Sequence, residues 1–259
     1  MGANVDNTSK ERTANDTLQL LFVGRIARVR RLELLLQAVE KLTFPFHLTI
    51  AGGEEKTSSV TRSGYIKELK ELTEKLNLNS KVTFTGRKSQ EELKTFYEMA
   101  DVFVYPSEFE NFGQPLIEAG AHGLPIIATP VGVARDIIIE GETGYLTSDD
   151  PGAMSDRIHL LRDNNLRKQM GVQIKNLIKK KFDWGNIMGQ YISLYNSLWY
   201  FFMPNAFDPY SKNYNNHVND ALRITGYDTN TLIKAKLLKL QELFPDLVQL
   251  HFNLLDFGC

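Results

Sequence analysis

Five short apolar runs, separated by stretches of helical periodicity, constrain this chain more than any other feature. LQLLFV (18–23), HLTIA (47–51), KVTFT (81–85), VFVY (102–105) and PIIAT (125–129) leave little polar surface for water on either face. That is the pattern of strands covered on both sides. Between them, apolar residues recur at helical spacing over 32–42, 66–76, 90–99 and 115–122. Strand and helix in alternation require crossover connections, which are right-handed. The expected fold class is therefore α/β, with a doubly wound, parallel, Rossmann-like sheet. Ligands of such sheets bind beyond the carboxyl ends of the strands, so the loops at those ends are where function is sought.

After Gly144-Tyr145-Leu146 the pattern becomes mostly helical, over 151–162, 166–181 and 184–200. A break rich in Pro, Asn and Tyr (203–216) then marks a domain boundary near 203. Beyond it, 231–244 reads as a helix and 250–257 as a strand. The polar opening, 1–17, reads as a linker, which divides the chain into 1–17, a domain at 18–203 and a mostly helical appendage at 204–259. With 30 basic and 31 acidic side chains, the chain lacks the charge for a protein held on nucleic acid by phosphate contacts. Its one cysteine, Cys259, excludes an internal disulfide framework and a Cys-rich zinc site. No apolar run is long enough to span a membrane and the opening is too polar for a signal peptide, so a cytoplasmic protein is expected. The five histidines show no metal-ligand spacing and no Asp-x-Asp pair occurs, so neither metal nor cofactor is expected.

The segment richest in chemistry is PSEFENFGQPLIEAGAHGLPIIAT (106–129). Its loop follows a buried strand and leads into a helix whose first turn is expected at Pro115, a position that suits a residue without an N–H. The start of that helix offers unpaired backbone N–H groups and a positive dipole end, a seat for phosphate. Glu118, one turn in, is placed to reach the vicinal hydroxyls of a ribose, and Glu110, on the loop, to face a sugar. After the first strand come Gly24, Arg25, Arg28, Arg30 and Arg31. Arg25 and Arg30 are the candidates for bidentate hydrogen bonds to a diphosphate, whereas Arg28 and Arg31 read as surface charges. His122 reads as packing or capping, Asp149-Asp150 as a helix N-cap, and KNLIKKKF (175–182) as a solvated helix end rather than a lipid contact. Taken alone, Glu110 and Glu118 also fit a bland role, as a loop carboxylate and a dipole-complementing glutamate.

Several segments in order resemble the donor-binding C-terminal domain of retaining family-4 glycosyltransferases of the GT-B fold. They are VGRIARVRRLELLLQAV (23–39), LTIAGGEE (48–55), VTFTGRKSQEELKTFYEMADVFVYPS (82–107), the Glu-x7-Glu segment, GYLTSDDP (144–151) and FDWGNIMGQYISLY (182–195). The resemblance implies a nucleotide-diphosphate sugar as donor substrate and transfer with retention of configuration. It implies that Arg25 and Arg30 bind the diphosphate, Arg30 standing where the family usually has lysine. Glu110 would hold the transferred sugar at its reacting centre and Glu118 the ribose. Gly24, Asn111, Phe112, Gly113 and Leu116 would complete the donor loops, with Gly86 and Arg87 beside the base and Gly52 lining the adjacent turn.

In that family a separate N-terminal half binds the acceptor, here a glycan or lipid-linked molecule, and MGANVDN resembles the tail of the linker between halves. The expectation is a chain that binds donor but needs the missing half, or a partner chain, for transfer, working in the cytoplasm or at the inner face of a membrane. A donor-binding subunit and a sugar phosphorylase or epimerase of the same fold are the alternatives. Residues 208–227 and LLDFGC (254–259) resemble the start of a class I methyltransferase, which implies a truncated second enzyme that could not hold S-adenosylmethionine by itself.

Overall fold

The apolar runs lie side by side in one six-stranded, fully parallel sheet. In this computed structural model the described residues are 2–3, 16–54 and 64–202, the side chains of 196–202 excepted. The strands are β1 (Leu18–Val23), β2 (Phe46–Ala51), β3 (Val82–Gly86), β4 (Val102–Tyr105), β5 (Ile126–Ala128) and β6 (Gly144–Leu146), in the order β3-β2-β1-β4-β5-β6. The order reverses between β1 and β4, which makes their carboxyl ends the crevice of a doubly wound sheet. All of β4 is buried, as are all but one residue of β1. Each large apolar side chain so removed from water contributes about 1.5–3 kcal/mol.

The helices are α1 (Leu32–Glu40), α2 (Tyr65–Lys75), α3 (Gln90–Met99), α4 (Gln114–Ala121), α5 (Ala134–Ile137), α6 (Pro151–Leu160), α7 (Asn164–Phe182) and α8 (Trp184–Phe202). α1 packs with α2 and α6, whereas α4 packs with α7. The helix expected to start at Pro115 starts one residue earlier, with Pro115 in its first turn. Two larger differences concern short elements. Gly144–Leu146, unassigned in sequence just before the helical part, is strand β6, paired with β5 through Ile126↔Gly144 and Ala128↔Leu146. Arg28–Arg30 form a single 3-10 turn that ends at Arg31 in the left-handed region, φ 49°. That turn swings Arg30 inward.

The chain divides into two compact units, Met1–Gln190 and Tyr191–Cys259; the sheet and every candidate site residue belong to the first. The helix at 231–244, the strand at 250–257 and the methyltransferase-like stretch lie outside the described residues. Among the described residues no helix is long and apolar enough to cross a membrane.

Candidate functional site

Loops from successive strands are sewn together along the carboxyl rim. Gly24 N donates to Ala51 O, Ile26 N to Gly53 O and Gly52 N to Gly86 O, each at 3.0 Å, and Glu108 N to Val29 O at 2.8 Å. A Cβ on Gly52 would collide with the carbonyl of Gly24, so the loops after β1 and β2 close only around glycine there. Gly86 and Arg87 sit exposed at the end of β3, two strands away from β1.

Arg30 and Glu110, distant in sequence, meet at the switch point. Arg30 Nη1 lies 2.6 Å from Glu110 Oε2 and also donates to Ser107 Oγ at 2.9 Å and to the Phe109 carbonyl at 3.0 Å. The Arg30 side chain is 9% exposed and that of Glu110 16%. Arg30 Nε is buried with no hydrogen-bond partner. A buried pair like this stabilises a fold poorly, because desolvation offsets most of its attraction. The site explains its presence better than stability does. Arg30 is therefore turned toward Glu110 and not open to solvent like its neighbour Arg25, which is exposed and near enough to Tyr105 for its charge to bear on that hydroxyl.

The loop then enters α4 through Gly113, whose φ of 93° lies in the left-handed region and whose absent side chain makes room for Leu116 Cδ1, 2.8 Å from where a Cβ would stand. No side chain caps α4. The start of α4 thus opens at the same rim as Arg30 and Glu110, although Pro115 has no N–H and Leu116 N already donates to the Gly113 carbonyl at 2.9 Å. Asn111 is exposed, Phe112 half-buried and Leu116 fully buried. Leu116 therefore shapes the loop from within. Val133 N donates to the Phe112 carbonyl at 2.7 Å, and a Cβ on Gly132 would meet that carbonyl, so the β5 loop backs the β4 loop. A cavity of about 620 Å³ begins at Asn111 and Phe112 and runs to Asp136, Lys181 and Phe182. Arg30 and Glu110 are not among its lining residues, although Gly132, which lines it, would carry a Cβ 3.3 Å from Glu110 Cγ.

Glu118 sits one turn into α4, where Tyr97 donates its hydroxyl to Glu118 Oε2 at 2.9 Å. Tyr105 does the same for Glu110 Oε2 at 2.6 Å. Both tyrosines are almost wholly buried. Burial pushes the Tyr105 hydroxyl far above its ordinary range, the Arg30 charge opposing and the Glu110 hydrogen bond adding to the rise. Burial, then the Glu118 charge, pushes Tyr97 up likewise. Neither tyrosine stood out in the sequence. For Tyr105 the one signal was a phenol inside a strand buried on every side, where its hydroxyl must find a partner; Tyr97, the buried residue of an otherwise half-exposed α3, carried only its place on the apolar face. His122 ends α4 as its cap, its Nδ1 donating to the Glu118 carbonyl at 2.9 Å while its ring stacks on Tyr97. Asp150 caps α6, as its position suggested, and Asp149 pairs with Arg31.

The chain is 35% identical over 184 residues to a D-inositol 3-phosphate glycosyltransferase of Corynebacterium urealyticum, a stretch that covers 68% of this chain and 42% of that one. It superposes on sucrose-phosphate synthase from Thermosynechococcus elongatus with a TM-score of 0.64 at 32% identity, over 71% of this chain and 46% of that one. It shares the fold of Anabaena Alr3699/HepE, solved with UDP and glucose, with a TM-score of 0.64 at 19% identity over 70% of this chain and 49% of that one. The chain thus spans less than half the length of these relatives. The model of the family described as glycosyl transferases group 1 matches residues 5–177, so it lends nothing to the methyltransferase-like stretch further on. A parallel sheet of the GT-B kind and a matched family over most of its length place this chain among the group 1 glycosyltransferases.

Proposed function

We propose that this chain is the donor-binding part of a retaining glycosyltransferase that takes its sugar from a nucleotide-diphosphate sugar in the cytoplasm. The observation that carries this reading is the meeting of the buried Arg30–Glu110 pair with the uncapped start of α4 at the one place where the strand order reverses. The diphosphate would lie at the start of α4, against the positive end of its dipole, between Arg25 and Arg30. The ribose would hydrogen-bond to Glu118, and the transferred sugar would lie against Glu110. In the transfer the bond from the sugar's anomeric carbon to the diphosphate oxygen breaks, the acceptor's hydroxyl oxygen bonds on the same face, and its proton passes to the leaving diphosphate oxygen. Arginine and backbone donors stabilise the charge that grows on the leaving diphosphate. Glycan-type acceptors would be held by an N-terminal half or by a separate chain.

The test is calorimetric titration of the chain with UDP, GDP and ADP, repeated on Glu118→Ala. One nucleotide should bind, and the substitution should weaken it. A folded chain that binds none of the three overturns the reading. Efficient transfer to a defined acceptor by these 259 residues alone would overturn the need for a further acceptor-binding part.

A further inference from the structure

We propose that Tyr97 and Tyr105 are positioning residues, one for each carboxylate of the Glu-x7-Glu pair: Tyr97 sets Glu118 for the nucleotide end of the donor, and Tyr105 sets Glu110 for the sugar end. The inference rests on the donor reading above. Tyr97 is 2% exposed and Tyr105 1%, so a phenylalanine would fill either place in the core. A hydroxyl buried there costs free energy unless it is hydrogen-bonded. In both cases the partner is a site carboxylate, Glu118 Oε2 at 2.9 Å and Glu110 Oε2 at 2.6 Å.

The rings themselves are held in one row. Phe22 stacks on Tyr105 with centroids 5.6 Å apart, Tyr105 on Phe103 at 6.0 Å, Phe103 meets Tyr97 at 6.0 Å, and Tyr97 stacks on His122 at 5.0 Å. The row runs from β1 through β4 to α3 and the end of α4. Neither phenol can swing without displacing a neighbour in a close-packed core. Each hydroxyl is thus a fixed donor that takes one oxygen of its glutamate and so sets the plane of the other. At Glu110 the same Oε2 also receives Arg30 Nη1, while Oε1 accepts from Asn111 N at 3.1 Å. When a diphosphate draws on Arg30, Tyr105 still holds Oε2 in place.

The experiment compares Tyr97→Phe and Tyr105→Phe in the full chain, titrated with UDP, GDP and ADP and with the glucose conjugate of whichever nucleotide binds. Tyr97→Phe should weaken the free nucleotide and its sugar conjugate alike, by about tenfold, the size of one hydrogen bond to a charged group. Tyr105→Phe should leave the free nucleotide within about twofold and weaken only the conjugate, by about tenfold. On a Glu110→Gln background, Tyr105→Phe should lose most of its effect, since the pair acts as one unit. A merely structural role would make Tyr105→Phe lower both ligands alike, or make Tyr97→Phe lower the melting temperature as far as a core cavity would while binding falls only in proportion; either pattern overturns the proposal. So does a wild-type chain that binds both ligands and two variants indistinguishable from it. A wild-type chain that binds no nucleotide rejects the donor reading itself, and the inference falls with it.

Discussion

Two sets of helix starts in this molecule are built on different plans. α3 opens with a complete capping box between Ser89 and Glu92, α6 with Asp150 and α7 with Asp163. α2 is closed from afar by Glu54, whose Oε1 accepts from Gly64 N at 2.9 Å and Tyr65 N at 2.8 Å, and α8 by Asp183. α1 and α4 have no side-chain cap, and both begin at residues in the left-handed region, Arg31 and Gly113. These two follow β1 and β4, the strands at the switch point. A missing cap costs about 1 kcal/mol. The molecule leaves it out at the two helices that follow the switch-point strands and at the four-residue α5, and supplies it at the other described helices.

The largest break in this contrast should come from Gly113→Ala. Forcing an L-residue to φ 93° against Leu116 should cost about 2 kcal/mol, seen as a lower melting temperature. Nucleotide binding should fall with it, because the start of α4 moves. Asp163→Ala removes an ordinary cap, which accepts from Asn165 N at 2.8 Å. It should cost about 1 kcal/mol and leave nucleotide affinity unchanged; a fall in affinity there would erase the distinction between the two plans. The smallest effect belongs to Glu92, whose carboxyl Lys88 and then Ser89 hold at about 2, below its ordinary 4.5. Its folded value is depressed, so its contribution is present above about 4.5 and is lost as the pH falls toward 2. The melting temperature of the wild-type chain should converge on that of Glu92→Gln across that window, with binding untouched at neutral pH.

Much of the sheet was legible because its strands are apolar runs with no other plausible use. β6 was not: three residues opening on a glycine carry no period, and only the pairing of Gly144 with distant Ile126 makes them a strand. The candidate loops were legible as loops, since glycine, proline and charge cluster there. The individual roles were less so. The sequence set Arg30 apart from the surface charges Arg28 and Arg31 but held no sign of its partner: one short turn sends it to Glu110, while Arg28 pairs with Glu68 and Arg31 with Asp149. Tyr105 reads as core in VFVY and Tyr97 as the apolar face of a helix, and both are core. What sequence does not hold is the direction of a hydroxyl, which depends on contacts 5 and 21 residues away in the chain.

The row of rings beneath the rim also changes what counts as part of the site. Its members act like stacked shims in a fixture: the tolerance at the working surface is the accumulated error of the stack. Phe22 and Phe103 touch neither carboxylate through any hydrogen bond, yet each sets how far the next ring can shift. Thinning one of them, as in Phe22→Leu, adds slack that accumulates toward both glutamates. The precision of this rim is therefore machined in the core, one ring at a time, well below the loops that a ligand would meet.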